Sequence, residues 1–286
     1  MNQWIRECRL IGVDDGSKGL DFSELRIEFD VRKTSTRTPN EAKIRIHNLS
    51  RGTAKKAKQE FKRIQLKAGY RGASDVIFDG TIREARMGKD GTDRHLDILA
   101  GDGDQPYIQA TVNKSLAAGC SLDDVFRASV TPMMNCGAGS VSLGHIDCFD
   151  PVTFPRGRVL YGMSRDIIDQ VCRTSHKDWS IQNGKLQVVN RRGSLPTAFV
   201  ISKNTGMIGA PEEVNEGVKV KCLLNPKLLV DGQVKIESEN ISGAAASSNG
   251  FYRILQLDIV GDTHGNDWYS EMTCVAMDKL GGNTTD

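Results

Sequence analysis

LRIEFDVRKTSTRTPNEAKIRIHNLS, residues 25–50, contains two runs in which apolar and charged residues alternate. The apolar positions are Leu25, Ile27, Phe29 and Val31 in the first run and Ala42, Ile44 and Ile46 in the second. Side chains of a strand point to opposite faces with a period of two, so both runs are predicted to be half-buried strands. The connection KTSTRTPN, residues 33–40, is much longer than the two-residue turn that commonly joins such strands.

The length and composition indicate a globular protein of two or three compact domains. The chain has 286 residues, of which 38% are hydrophobic, and its formal net charge is +2. This near-neutral balance provides no basic surface for sequence-specific binding of nucleic acid. The N-terminal sequence lacks the apolar core of a signal peptide, and no apolar run approaches the roughly 18 residues that a membrane span needs.

The seven cysteines are odd in number and widely spread, and none forms a CxxC pair. This pattern favours free thiols in a protein that folds in a reducing cytoplasm over a disulfide scheme.

Three parts follow one another along the chain. The first hundred residues read as strands with one short helix, which begins after Asn48 or Ser50 as N-cap. Residues 105 to about 210 contain helices, one of them starting at Ser121, and a hairpin whose turn is Asn183-Gly184. The last 70 residues return to alternating patterns that predict strands.

The β segments at the two ends resemble each other. In the ascending strands, Ile82, Ala85 and Met87 correspond to Ile254, Leu257 and Ile259, and both sets are spaced i, i+3, i+5. This irregular spacing predicts a β-bulge at the same place in both segments. Any two hairpins resemble each other to some extent, so the similarity alone leaves an internal repeat open.

The sequence contains no recognisable catalytic or cofactor motif. HExxH, GxSxG, P-loop and GxGxxG patterns are all absent, and the five histidines are scattered. The segments GDGD (101–104) and GDTHGND (261–267) place carboxylates close together, but Asp and Gly are also what tight turns require. We therefore expect no catalytic residue, no metal site and no cofactor. Trp179 and Trp268 each open a strand and are expected to be core or interface anchors.

With these patterns in hand, the chain resembles the baseplate hub proteins of contractile and long-tailed bacteriophages, which cap the tail tube and carry the spike. Four stretches carry the resemblance, which is one of pattern and order. They are the hairpin of residues 25–50, FDGTIREARMGKDGTDRHLDILAGDGD, DWSIQNGKLQVVN and YRILQLDIVGDTHGNDWYSEMTC.

The resemblance implies a mainly β fold with a smaller α/β part: two tube-like antiparallel β-barrel domains, residues 1–104 and 213–286, flank a mixed α/β domain, residues 105–212. It further implies a homotrimer whose six barrels form a pseudo-six-fold ring around a channel for genome passage. The implied partners are the tail tube protein, the spike protein and other baseplate proteins, with a tape-measure protein as a further candidate in the channel. The implied location is the virion tail baseplate, after assembly in the host cytoplasm.

The long connection acquires a role in this context, because long hairpins of tube-like barrels reach neighbouring chains or the next ring. We expect an inter-chain or inter-ring contact from Lys33, Thr34, Ser35, Thr36, Arg37 and Thr38. An ordinary surface loop is the alternative.

Two other functions stay open. A tail-associated peptidoglycan hydrolase would need an acid with a raised pKa and a second carboxylate about 5–10 Å away. Glu84, Glu212 and Glu213 are the glutamates near turns that fit this requirement best. The hub of a phage-derived bacteriocin or of a secretion apparatus shares the same physics as a phage hub.

Overall fold

Residues 25–50 form the hairpin that their alternation predicts. In the computed structural model, which describes residues 5–13, 19–91, 93–214, 217–238, 241, 247 and 249–279, the two runs are antiparallel strands. Their apolar side chains are buried on one face, and their charged side chains lie on the other. The helix that follows is capped by Ser50, whose hydroxyl accepts a hydrogen bond from the backbone N–H of Thr53 at 3.1 Å.

The described part of the chain is mainly β. The strands are β1 Arg6–Val13, β2 Gly19–Asp21, β3 Ile27–Thr34, β4 Glu41–His47, β5 Arg63–Tyr70, β6 Ala73–Asp90, β7 Asp93–Gly101, β8 Thr111–Leu116, β9 Ser142–Ile146, β10 Arg158–Met163, β11 Lys177–Gln182, β12 Lys185–Asn190, β13 Ala198–Ile201, β14 Met207–Val214, β15 Gly217–Leu223, β16 Gln233–Ile236, β17 Phe251–Asp262 and β18 Trp268–Ala276. The helices are α1 Arg51–Glu60, α2 Asp104–Gln109, α3 Leu122–Met134 and α4 Ser164–Thr174, with short 3-10 turns at Gly137–Gly139, Lys203–Thr205 and Met277–Lys279.

One large sheet joins the two ends of the chain. Its strands follow the order β14-β15-β18-β17-β3-β4-β7-β6-β5-β1-β2, and β16, which pairs with β17, adds β13. The link between the two ends is the antiparallel pairing of residues 28–34 of β3 with residues 256–262 of β17. We call this pairing the internal seam. The mainly β fold with a smaller α/β part is confirmed.

The hydrophobic core divides into two clusters. One cluster contains buried residues between Leu10 and Ala100 together with buried residues between Ile201 and Ala276. The other lies between Ala110 and Val188 and packs α3 and α4 against β8, β10, β11 and β12. Trp268 belongs to the first cluster and Trp179 to the second, and both are core residues as expected. The boundary predicted at residue 212 falls within β14, which pairs with β15 of the large sheet.

The internal repeat is present in the sheet. The strands β3, β4, β5, β6 and β7 recur in the same order and pairing as β14, β15, β16, β17 and β18. The predicted bulge is at the same place in both: the register shifts between Ile82 and Glu84 in β6 and between Ile254 and Gln256 in β17. The two ends of the chain are therefore copies of one five-strand plan.

Two signals from the middle of the chain, one for a hairpin and one for the start of a helix, are also confirmed. Asn183 and Gly184 both have positive φ, +52° and +72°, which is the geometry of a two-residue type I′ turn between β11 and β12. At the start of α3, the Ser121 hydroxyl accepts from the backbone N–H of Asp124, and the Asp124 carboxylate accepts from the backbone N–H of Ser121. This reciprocal pair fixes the first turn of the helix.

Gly261→Ala is expected to lower the free energy of unfolding by about 1–3 kcal/mol, because overpacking a filled core carries such a cost. Gly261 lies in β17 between its sheet partners Phe29 and Trp268, whose rings contact each other at 5.5 Å in an edge-to-face arrangement. A methyl group on Gly261 would overlap the Phe29 ring. Urea unfolding at constant protein concentration measures the effect.

The matched control is Gly52→Ala in α1, where the nearest atom to an added methyl group is the Ser50 hydroxyl at 3.9 Å. This variant should be unchanged or more stable by up to about 1 kcal/mol, because Ala favours a helix over Gly. Equal effects of the two substitutions would contradict the tight packing at the internal seam.

Candidate functional site

Eight neighbouring strands present a charged face opposite the core. These strands are β14, β15, β18, β17, β3, β4, β7 and β6. In β3, β4, β15 and β18 alternate residues point away from the buried side. On this charged face acidic side chains outnumber basic ones. They are Glu28, Asp30, Glu41, Glu84, Asp90, Asp93, Asp97, Glu212, Asp258, Asp262 and Glu271 against Arg32, Lys43, Arg45, Arg86, Lys219 and Lys221, with Arg26 and Arg83 in ion pairs with Glu28 and Glu41 at the margin of this face.

A cleft of about 640 Å³ lies along the middle of the charged face, across β17, β3, β4, β7 and β6. Ion pairs border it, among them Arg45 of β4 with Asp97 of β7 at 2.7 Å and, within β6, Arg86 with Glu84 at 2.6 Å. The hydrogen bond from Arg45 lowers the pKa of Asp97, so this carboxylate stays ionised. Glu84 lies in an exposed ion pair, and Glu212 and Glu213 are exposed on the distant strand β14. None of the three has the enclosed environment of a catalytic acid.

One hairpin of the middle part of the chain contacts both halves of this sheet. The hairpin of β11 and β12, residues 177–190, has its turn against the N-terminal half of the sheet and its open end against the C-terminal half. We call it the connecting hairpin. Both of its attachments are buried and charged, which is unusual because a buried charge is costly unless it is paired and hydrogen-bonded.

The first attachment is built around Asp102, which is fully buried. Its carboxylate accepts the backbone N–H groups of Asn183 and Gly184, the latter at 2.7 Å. Lys33, only 3% exposed, donates to the Asn183 side-chain oxygen at 2.8 Å. Burial raises the pKa of Asp102 to about 6, and burial lowers the pKa of Lys33 to about 8, an effect that the charge of Asp102 partly offsets.

The residues predicted to make inter-chain contacts lie beside this attachment. The Thr34 carbonyl accepts from the Gln182 side chain at 2.9 Å, and the Ser35 N–H donates to the Leu255 carbonyl at 2.9 Å. Arg37 pairs with Asp169 of α4 at 2.9 Å. Thr36 and Thr38 are exposed at the tip.

The long connection thus folds back onto its own chain, and Asn40 completes the contact by donating to the Ile181 carbonyl and the Gln182 side chain. These contacts explain why residues 33–40 are longer than a tight turn. The inter-chain role of Lys33 to Thr38 stays a prediction, with Thr36, Arg37 and Thr38 as its exposed part.

The second attachment is built around Arg253, only 1% exposed, and Asp231. The Arg253 guanidinium donates to Asp231 at 2.6 and 2.9 Å and to the backbone carbonyls of Asn190 and Arg191 at 3.1 and 2.9 Å. Gln187 of the connecting hairpin donates to the second Asp231 oxygen at 3.1 Å. Burial raises the pKa of Asp231, and the charge of Arg253 opposes that rise.

Sequence reasoning missed both attachments. Arg253 lies between the apolar residues Tyr252 and Ile254, in the polar phase of its strand, and gave no signal. Lys33, in contrast, occupies a position of β3 that faces the core, in phase with Val31. A long cation in an otherwise apolar position is a candidate for a buried ion pair. The GDGD segment was interpreted as a turn, yet Asp102 holds the connecting hairpin and Asp104 pairs with Arg83.

Neither Asp-rich segment leaves a set of carboxylates grouped for a cation. Asp262 of the second segment pairs with Arg26 at 2.7 Å. Within the described ranges, no three His, Cys, Asp or Glu side chains are grouped so that they could hold a metal ion. No helix within those ranges is long and apolar enough to cross a bilayer.

Asp102→Asn is expected to remove a pH-dependent component of stability. Because the pKa of Asp102 is raised from 3.8 to about 6 by folding, its contribution is fully present below pH 3.8 and is lost as the pH rises to about 6. The stability difference between wild type and variant should therefore shrink over this interval. Urea unfolding at a series of pH values measures it.

Asp97→Asn is the control of opposite sign. Its pKa is lowered by Arg45, so the stability that wild type has over this variant should be present above pH 3.8 and should fall as the pH drops below that value. The same slope for both variants would contradict a buried Asp102.

Arg253→Met is expected to cost about 3–5 kcal/mol, because it leaves Asp231 buried without its partner. The double variant Arg253→Met with Asp231→Leu should recover a large part of this loss, since both buried charges are then gone. A double-mutant cycle by urea unfolding measures the coupling. Additive effects of the two substitutions would show that the pair does not act as a unit.

Comparison with known proteins shows what this chain resembles in sequence and in fold. Residues 165–274, which include the connecting hairpin and most of the C-terminal sheet, match the model of the family "Baseplate hub gp41". No curated protein sequence matches the chain.

Solved structures match almost the whole chain. The 43 kDa tail protein of prophage MuSo2 from Shewanella oneidensis has a TM-score of 0.64 at 8% identity, over 96% of this chain and 98% of its own. A tail protein from Neisseria meningitidis MC58 has a TM-score of 0.63 at 7% identity, over 97% and 98%. The third is a type VI secretion component of E. coli that is described as structurally similar to the T4 tail proteins gp27 and gp5. It has a TM-score of 0.62 at 7% identity, over 91% of this chain and 76% of its own.

At these identities the structural matches establish the fold, and the family match adds a sequence relation over residues 165–274. The chain therefore has the fold of phage tail proteins, and its resemblance to the baseplate hub proteins is confirmed.

Proposed function

We propose that this chain is the structural hub of a phage tail baseplate and acts as a homotrimer. Three copies would place six copies of the repeated strand plan in a ring, which joins the tail tube on one side to the central spike on the other. The proposal keeps the division into residues 1–104, 105–212 and 213–286, except that β14, Met207–Val214, belongs with the C-terminal part because it pairs with β15. The two outer parts build the ring, and the middle part lies outside it. The tube, spike and other baseplate proteins are its partners in the virion.

The observation that carries the proposal is the internal repeat together with the internal seam. A chain that contains two copies of one plan, already paired edge to edge, would supply a third of a six-part ring. Three-fold symmetry of chains and approximate six-fold symmetry of strand units then coexist, which is what an adapter between a six-fold tube and a three-fold spike requires.

We assign the charged face to the channel. Its excess of carboxylates would repel the phosphates of a passing genome, and its ion pairs keep the basic side chains engaged with neighbours on the sheet. A lumen of this kind would let DNA or a tape-measure protein move through without binding either.

The role is structural, without a catalytic step. The hub of a phage-derived bacteriocin or secretion apparatus is a second candidate, which the fold likeness to a type VI secretion component favours. Because tube and spike geometry is shared, both candidates predict the same assembly.

Mass photometry of the purified chain at micromolar concentration is expected to give a species of three times the 31.4 kDa chain mass. Negative-stain projections of this species should show a ring with a central hole. A monomer throughout the concentration range, which neither tube nor spike protein converts into a ring, would contradict the proposal. A clear band in a peptidoglycan zymogram would instead support a hydrolase.

A further inference from the structure

The eight-strand run ends in two strand edges that have no strand partner in the described part of the chain. At one end is the second half of β6, residues 83–90, which pairs only with β7, because β5 pairs with residues 73–81. At the other end is β14, which pairs only with β15. Such edges are templates for pairing with another chain.

The internal repeat makes these two edges equivalent to strands that are already paired. Position by position, β6 corresponds to β17, and β14 corresponds to β3. The correspondence extends to individual pairs: Arg45 lies opposite Asp97 in one copy, and Lys221 lies opposite Glu271 in the other. The internal seam between β17 and β3 is therefore the same contact that a β6 edge and a β14 edge would make.

The internal seam also fixes a register. Within it, Asp258 lies opposite Arg32 and Val260 lies opposite Asp30. Through the strand pairings of the repeat, Asp258 corresponds to Arg86 and Val260 to Gly88. By the same route, Arg32 corresponds to Val214 and Asp30 to Glu212.

We propose that residues 83–90 of one copy pair antiparallel with β14 of a second copy, with Arg86 opposite Val214 and Gly88 opposite Glu212. We call this contact the external seam. It rests on the proposed ring, since three external seams and three internal seams would alternate around it. The occupant of each free edge is thus a second copy of this chain.

Charge and burial support this occupant. Arg86 and Glu212 lie on the charged face and would be diagonal neighbours across the external seam, within reach of an ion pair. Met87 is 55% exposed, whereas its counterpart Ile259 at the internal seam is 1% exposed. The exposed apolar side chain on the edge is therefore the one that a neighbouring copy would cover.

One difference limits the external seam to a short pairing. In β14 the register shifts between Ile208 and Glu212, so Gly209, Ala210 and Pro211 stand where β3 has the single residue Phe29. Proline has no N–H to donate, and bulges and prolines are typical of edges that must not pair indiscriminately. Pairing would then be confined to Glu212–Val214 on one side of the bulge and to Met207 and Ile208 on the other.

The test is a cysteine pair in the full-length chain. Arg86→Cys with Val214→Cys should form an inter-chain disulfide on mild oxidation and give a covalent trimer on a non-reducing gel. Arg86→Cys with Ile208→Cys is the off-register control, displaced by about 13 Å at the rise of a strand, and should not crosslink. Wild type under the same oxidation controls for the native cysteines.

A charge exchange provides a second measurement that does not need cysteines. Arg86→Glu should raise the protein concentration at which half the chains are trimeric by about tenfold, because like charges would then meet at three seams. Glu212→Arg should act similarly, and the double exchange should restore the wild-type concentration. Circular dichroism and urea unfolding of the monomer confirm that each variant folds.

The outcomes separate the external seam from the proposed ring. If the wild type is trimeric but the two cysteine pairs crosslink equally, or neither charge reversal changes the concentration at which trimers form, the external seam is overturned and the ring stands. If the wild type stays monomeric and the in-register cysteine pair forms no crosslink, both are overturned. Crosslinking in register with rescue by the double exchange supports both.

Discussion

The pairing of β3 with β17 is the contact on which the rest of the molecule depends. It joins strands that lie more than two hundred residues apart and merges the cores of the two chain ends into one cluster. Without it, the N-terminal and C-terminal strands would each present an edge to solvent, with backbone donors and acceptors unpaired. The Phe29 and Trp268 rings pack against each other around Gly261 at this point, so side-chain packing reinforces the backbone hydrogen bonds.

The connecting hairpin has the complementary task of holding the middle of the chain to both ends. It uses buried ion pairs and amide contacts where apolar packing would have been less costly. Apolar contact is tolerant of sliding, whereas hydrogen bonds to Asp102 and from Arg253 are satisfied in one position only. The polar attachments therefore set the orientation of the middle part relative to the sheet, and the two hydrophobic cores supply the bulk of the stability.

Much of the fold could be predicted from the sequence, because it is written in local patterns. Alternation located β3 and β4, the Asn183-Gly184 pair located a hairpin, and the irregular spacing after Ile82 and Ile254 located a bulge in each repeat. Periodicity predicts strands but not their order in a sheet. The pairing of the two chain ends in one sheet could therefore not be predicted from it. The resemblance to hub proteins supplied the expectation of a homotrimer, which no single stretch encodes.

The candidate site was less accessible for a related reason. The contacts of Lys33 with Asn183 and of Arg253 with Asp231 join residues that are distant in sequence, and each partner alone resembles an ordinary surface residue. The position of Lys33 on the apolar side of β3 was the available signal, whereas Arg253, in the polar phase of β17, offered none. The excess of carboxylates on the charged face emerges only after the strand order is known, because its members come from eight strands.

The duplication of the strand plan within one chain has a thermodynamic consequence for assembly. Units that are tethered covalently meet at a high effective concentration, so the internal seam forms during folding and is insensitive to dilution. A ring of six identical single-unit chains would need six molecules to meet, and its population would vary with the sixth power of monomer concentration. Tethering in pairs reduces that dependence to the third power.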